Sequence, residues 1–267
     1  MNFYQILFLS VYLFSQGITY VLKFLNVRHM KMHCGVLPAP FEGYIDRATL
    51  QKSCEYAVES SSLSLKESLF GNAVTIFFIF GGLLNIYNGW IASLGYSFIL
   101  GGVIFFVALM AAGEVISVPF SLYGVFRIEN RYGFNTMTPR LWAVDFLKST
   151  ALSAVLGGLV LGCAFLIIER SPDYWWLFLW GFFFFFSIFM MYISPYVIEP
   201  LFNKFTPLEG EDLEHRIKAA MQKAGIRVTR VFTMDASKRS RHSNAYFSGV
   251  GRVKRIVLFD TLIRQMT

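Results

Sequence analysis

Residues 237–262 read SKRSRHSNAYFSGVGRVKRIVLFDTL, the most polar and turn-rich stretch of an otherwise oily chain. Asn244-Ala245-Tyr246-Phe247 predicts a short strand and Gly249-Val250-Gly251 a turn. Arg255-Ile256-Val257-Leu258-Phe259 predicts a second strand of β-branched and aromatic residues. Asp260 to Thr267 then reads as the lead-in to a helix, with Thr267 suited to an N-cap. Upstream, Val228 to Met234 alternates with period two and predicts another strand. Glu211 to Ala224 sets Leu213, Ile217, Ala220 and Met221 on one face of an amphipathic helix, and Gly225 stops it. From residue 199 onward the chain therefore reads as a small α+β piece: helix, strand, hairpin, start of helix.

The rest of the chain is a different material. Of 267 residues, 55% are hydrophobic, only 15% are charged and 29 are Phe, a balance that a water-soluble domain rarely shows. Crossing a ~30 Å hydrocarbon core takes about 20 apolar residues. Five stretches qualify: about 3–25, 73–93, 97–121, 149–168 and 175–197. A signal peptide carries its basic residues ahead of the apolar run, whereas here the first is Lys23 at the far end, so the first span is read as retained. Residues 1–198 thus form a membrane-spanning domain, and 199–267 begin an incomplete polar one.

Lys and Arg then orient the spans. Arg28, Lys31, Arg47, Lys52 and Lys66 lie in the first long loop, Arg127, Arg131, Arg140 and Lys148 in the second, and thirteen more after residue 199. The two opposite loops hold only Arg170. By the positive-inside rule the N-terminus is outside and the C-terminal part cytosolic, a parity that five spans satisfy. The net charge of +7 reflects this flanking of apolar spans and contact with lipid headgroups; it does not point to nucleic acid. Cys34, Cys54 and Cys163 make no CxxC pair, and reduced thiols are expected.

Several residues carry chemistry worth following. Tyr44 to Lys66 reads as a surface or interfacial helix. Glu129-Asn130-Arg131-Tyr132-Gly133-Phe134-Asn135 has clear turn chemistry and no legible role. Glu114 sits inside the third span, where a charged acid costs about 2.5–3.5 kcal/mol, so it is expected to face a bundle interior or water. A zinc peptidase needs two histidines one helical turn apart with a glutamate between them. None of His29, His33, His215 and His242 is followed by Glu, so the chain has no H-E-x-x-H. His29 and His33 have the spacing but no carboxylate in reach, and are read as interfacial histidines rather than metal ligands.

Ser237 to Ser240, His242 to Tyr246, Lys254 to Asp260 and the run Pro200-Leu201-Phe202-Asn203-Lys204-Phe205-Thr206-Pro207-Leu208 resemble the CAAX prenyl protease type 1 family, membrane-embedded H-E-x-x-H zinc proteases. The resemblance covers essentially the whole chain as that family's N-terminal portion, ending just before the zinc motif. It implies an α-helical multi-pass membrane protein, with five spans here and seven in the full fold, around a water-filled chamber that Glu114 would face. The cytosolic α+β part would belong to a zincin-type protease domain. His242, Asn244, Ala245 and Tyr246 would line the peptide cleft, taking substrate as an added strand. The basic cluster Lys238, Arg239 and Arg241 is read as a solvated or headgroup-facing surface.

The function expected from this resemblance is removal of the C-terminal tripeptide from prenylated CAAX proteins, or cleavage of other peptides by a bacterial homologue. Zinc is the implied cofactor, with no metal ligand and no catalytic residue in this chain and H-E-x-x-H expected after Thr267. The partners implied are a peptide or prenylated C-terminus and the lipid bilayer. Compact loops lean towards a bacterial inner membrane over the endoplasmic reticulum. The alternative is a truncated, non-catalytic membrane protein acting in binding or regulation.

Overall fold

The computed structural model describes residues 3–34, 36, 43, 46–226, 228–248 and 254–266. Helices α1 (Phe3–His33), α2 (Arg47–Phe80), α3 (Leu83–Ser93), α4 (Phe98–Tyr123), α5 (Asn130–Tyr132), α6 (Pro139–Arg170), α7 (Trp175–Ile193) and α8 (Glu199–Phe202) come first. Then follow β1 (Phe205–Pro207), α9 (Glu211–Lys223), β2 (Val228–Met234), β3 (Ala245–Ser248), β4 (Lys254–Phe259) and α10 (Asp260–Met266). Five helical stretches among the described residues are long and apolar enough to cross a bilayer: Phe3–His33, Arg47–Phe80, Phe98–Tyr132, Pro139–Arg170 and Trp175–Phe202. Exposed Phe, Leu, Ile and Val line these helices, as a lipid solvent requires.

The second stretch departs from expectation. A separate interfacial helix and a span from residue 73 were foreseen, but α2 runs unbroken from Arg47 to Phe80. Asp46 caps its start by accepting from the Thr49 amide at 2.7 Å and its hydroxyl at 2.8 Å, and these bonds hold the Asp46 carboxyl below the usual carboxylate range. The helix runs on through its serine-rich middle, where Ser62 donates back to the Val58 carbonyl at 2.7 Å, and the break comes at Gly81-Gly82, where Gly82 takes φ 86°.

By contact the chain falls into two compact units, Met1–Gly89 with Gly113–Tyr132, and Trp90–Ala112 with Gly133–Thr267. In the first unit, α1 and α2 are joined by polar groups set in apolar surroundings. Asn72 donates to Gln16 at 2.8 Å and to the Tyr20 hydroxyl, and accepts from the Tyr12 hydroxyl at 2.6 Å. Lys23 donates to Ser68 Oγ at 2.8 Å. Such interhelical bonds stabilise helix pairs in lipid by about 0.6 kcal/mol each on average.

Cys34 and Cys54 are disulfide-bonded, with Cα atoms 5.4 Å apart, which corrects the expectation of reduced thiols; Cys163 is free. The sequence gives no CxxC spacing for this pair. The return of α2 alongside α1 brings the two residues together. In the same unit the π-helical turn Gly124–Glu129 ends with the Glu129 carboxylate accepting from Tyr56. Glu59 accepts from Arg131 and from the buried Tyr132.

In the second unit α4 and α6 approach closely through small residues: a side chain at Gly102 would meet Phe165, and one at Gly157 would meet Met110. Thr138 caps α6 and Pro139 occupies its first turn. The fifth apolar stretch widens at Ser194–Ile198 into a π turn, with the Glu199 amide bonded to the Ser194 carbonyl. The Pro195 carbonyl that the Glu199 amide bypasses accepts instead from Arg255 at 2.7 Å, and Pro200 has no N–H for the regular bond to residue 196.

The strands form one mixed sheet of order β1-β2-β4-β3; β2 and β4 run parallel, the outer pairs antiparallel. Period-two alternation gives it two apolar faces. Val231 and Ile256 pack with Leu208 against Leu213, Ile217 and Met221 of α9 and Ile263 of α10. Val257 and Met234 pack on the other face with Phe205, Phe232, Tyr246 and Phe259.

The strand expected over Asn244–Phe247 forms one residue later, and α10 starts at Asp260, seven residues before the N-cap expected at Thr267. Asp260 starts the helix because its carboxylate is already fixed, accepting from the Ser237 amide at 2.9 Å and from its hydroxyl. Thr267 and the turn Gly249-Val250-Gly251 lie outside the described residues.

Candidate functional site

The segment Ser237–Tyr246 is held from three sides. Asp260 anchors Ser237, as above. Arg239 is not a solvated residue of a basic patch: its guanidinium makes a forked pair with Asp145 at 2.7 and 3.0 Å, donates to Asn203 Oδ1 at 2.9 Å and to the Phe202 carbonyl at 2.6 Å. These four bonds from one planar fork suit Arg and no other residue. Lys238 is paired with Asp235.

The third side is the loop after α5. Asn135 bridges Ser240 in antiparallel fashion, Arg241 N donates to the Phe134 carbonyl at 2.8 Å, and the Thr136 hydroxyl donates to the Ser237 carbonyl at 2.8 Å. Gly133, at φ 79°, makes the turn that permits this. Sequence reading left this loop without a role; the structure makes it the platform of the segment. Nothing in its spacing signals the pairing, which spans about a hundred residues.

His242 lies on that platform. Its imidazole stacks on the Phe134 ring, centroids 4.2 Å apart and planes 22° from parallel, and its carbonyl accepts from the buried Thr261 hydroxyl at 2.8 Å. Next come Asn244 and Ala245, both exposed. The Asn244 carbonyl accepts from the Phe259 amide at 3.0 Å, and its Oδ1 accepts from the Ala245 amide at 2.8 Å. β3 is the last strand of the sheet among the described residues. Its outer edge therefore presents backbone donors and acceptors that an extended peptide can pair with.

Tyr246 points the other way. Its hydroxyl donates to Glu199 Oε2 at 2.9 Å, and Arg255, 8% exposed, donates to the same oxygen at 2.8 Å and to the Pro195 carbonyl at 2.7 Å. Arg255 is also ringed by Tyr196, Phe205 and Phe232, each centroid within 5.7 Å of its guanidinium carbon. Burial, and then the Glu199 carboxylate, push the Tyr246 phenol well above its ordinary value. Sequence reasoning grouped Tyr246 with His242, Asn244 and Ala245. The structure keeps the four contiguous but turns Tyr246 inward, as period two demands, to lock β3 onto the end of the fifth apolar stretch. Glu199 was missed, having no motif around it except the helix-ending Glu-Pro pair.

Glu114 lies on α4 in the other compact unit, exposed, with no side-chain partner among the described residues. No three His, Cys, Asp or Glu residues among those described are grouped to hold a metal. His29 and His33 stack at 4.0 Å, with His33 Nδ1 against the His29 carbonyl.

Five apolar helices leading into a small mixed sheet define the class: an α-helical, integral membrane protein with an α+β part whose edge strand is open. Residues 26–204 match the family profile described as CAAX prenyl protease N-terminal, five membrane helices, and residues 207–267 match peptidase family M48. The chain belongs to the CAAX prenyl protease family of M48 peptidases. It is 35% identical over 86% of its length to the CAAX prenyl protease 1 homolog of Arabidopsis thaliana, covering 56% of that protein. To CAAX prenyl protease 1 of Saccharomyces cerevisiae it is 34% identical over 88% of its length, covering 54%. The crystal structure of S. mikatae Ste24p superposes with a TM-score of 0.82 at 31% identity, over 92% of this chain and 59% of that one. The chain thus spans a little over half the length of these relatives.

Proposed function

We propose that the complete protein is an integral-membrane zinc metalloendopeptidase that removes the C-terminal tripeptide of prenylated CAAX proteins. In this reading the chain supplies chamber wall and substrate strand. The observation that carries it is the open outer edge of β3, led into by the exposed Asn244 and Ala245 and by the fixed His242. A peptide lying along that edge pairs with its backbone, the Asn244 side-chain amide can donate to a substrate carbonyl, and His242 flanks the same edge.

The described residues do not fit a zinc site, since no three His, Cys, Asp or Glu side chains among them converge. The relatives are longer than this chain, which supports ligands supplied from elsewhere in the protein.

Glu114 is assigned to a water-filled interior, because a charge facing lipid costs several kcal/mol. The basic loops support an orientation with the C-terminal part cytosolic. The relatives named above are eukaryotic, which favours the endoplasmic reticulum membrane over a bacterial inner membrane.

The test is Asn244→Asp in the full-length protein. A like-shaped carboxylate cannot donate and repels substrate carbonyls, so cleavage of a prenylated peptide falls about tenfold or more while bound zinc is unchanged. Cleavage at the parent rate would remove Asn244 from the site.

A further inference from the structure

Where the fifth apolar stretch meets the sheet, a cavity of about 480 Å³ opens. Its lining comes from two unlike sources. Pro195, Tyr196, Pro200 and Phe202, from the end of the apolar stretch, give one wall of proline and aromatic surface. Lys204, Lys238 and Arg255 give the other, with Asp235 as its acid. We propose that this cavity is a binding site for the headgroup of an anionic phospholipid.

The charge balance points to an anion. Arg255 is answered by Glu199 and Lys238 by Asp235, whose other oxygen accepts from the Lys204 amide at 2.7 Å. The side chain of Lys204 is exposed and has no ion-pair partner among the described residues, so the cavity keeps one uncompensated positive charge.

Depth points to a lipid. The apolar wall belongs to a helix that crosses the bilayer, and Lys204 follows its last residue by two positions. The cationic wall therefore sits at headgroup level, where basic pockets at the ends of membrane helices bind anionic lipid. Topology separates this site from the proposed peptide strand: Lys204 and Phe205 stand at the β1 edge of the sheet, and β3 is the opposite edge.

The test is binding of phosphatidylserine to the purified full-length protein, measured by native mass spectrometry after exchange into detergent with phosphatidylserine or phosphatidylcholine. Phosphatidylserine is retained more tightly than phosphatidylcholine, Lys204→Gln weakens that retention about fivefold, and Lys204→Arg preserves it; the factor corresponds to about 1 kcal/mol per basic side chain near a membrane surface. Lys223→Gln on α9, with the same change in net charge, leaves it unaltered. Equal weakening by both glutamine variants, or equal retention of the two lipids, overturns the site. Inorganic phosphate that displaces phosphatidylserine and raises the unfolding temperature as much also overturns it, because the ligand would then be soluble phosphate.

Discussion

Tyr246 joins the edge strand to the membrane part through one carboxylate, and its titration can be read directly. Its folded pKa is raised, so below about 10, the ordinary phenol value, both folded and unfolded chains keep the proton and its contribution to stability is fully present. As pH rises past that value, the unfolded chain ionises first and the contribution is lost as pH climbs through the folded value. Tyr246→Phe removes this: the variant loses about 1.5–3 kcal/mol at neutral pH, the worth of a hydrogen bond to a charged group, but its unfolding temperature falls less than the parent's between about pH 9 and 11. Parallel pH curves would mean the hydroxyl is not buried against Glu199. Of the proposed site residues, Asn244 and His242 stand out in the sequence because their polarity interrupts an oily chain. Glu199 and Arg239 were not, because each acts through partners 36 to 94 residues away in sequence.

Among elements, β4 carries the sheet. It pairs on both sides, with Val257 wholly buried at its centre. Val257→Ala should cost about 2–3 kcal/mol, two methyl groups plus the cavity they leave, read as a lowered unfolding temperature of the polar part. Thr206→Ala on the exposed edge strand β1 should stay within about 0.5 kcal/mol. A near-neutral Val257→Ala would contradict the two-faced packing. Strand periodicity and the amphipathic pattern of α9 were visible in the sequence, since side-chain alternation is a local property. The α2 boundary was misjudged because Leu50, Tyr56, Leu63 and Leu65 among charged residues suggested a separate surface helix, while the helix bond pattern runs on regardless of polarity to Gly81-Gly82.

For the whole molecule the orientation can be tested by inserting glycosylation acceptor sites in the protein expressed in a eukaryotic cell. Sites near residues 171–173 should be modified in the lumen, and sites near Glu209 should remain unmodified; the reverse pattern would overturn the cytosolic assignment of the sheet. Composition and charge asymmetry determined by themselves that this is a multi-pass membrane chain, because water tolerates neither five apolar helices nor their exposed phenylalanines. Strand periodicity and the motif resemblance likewise determined the small α+β part and its family. Only tertiary structure decided that residues 134–136 brace the Ser237–Tyr246 segment, that Cys34 and Cys54 pair, and that Glu199, Arg255 and Tyr246 meet. Side-chain period and hydropathy are local and can be read residue by residue. A hydrogen bond between distant residues depends on where the chain returns, which no local pattern encodes.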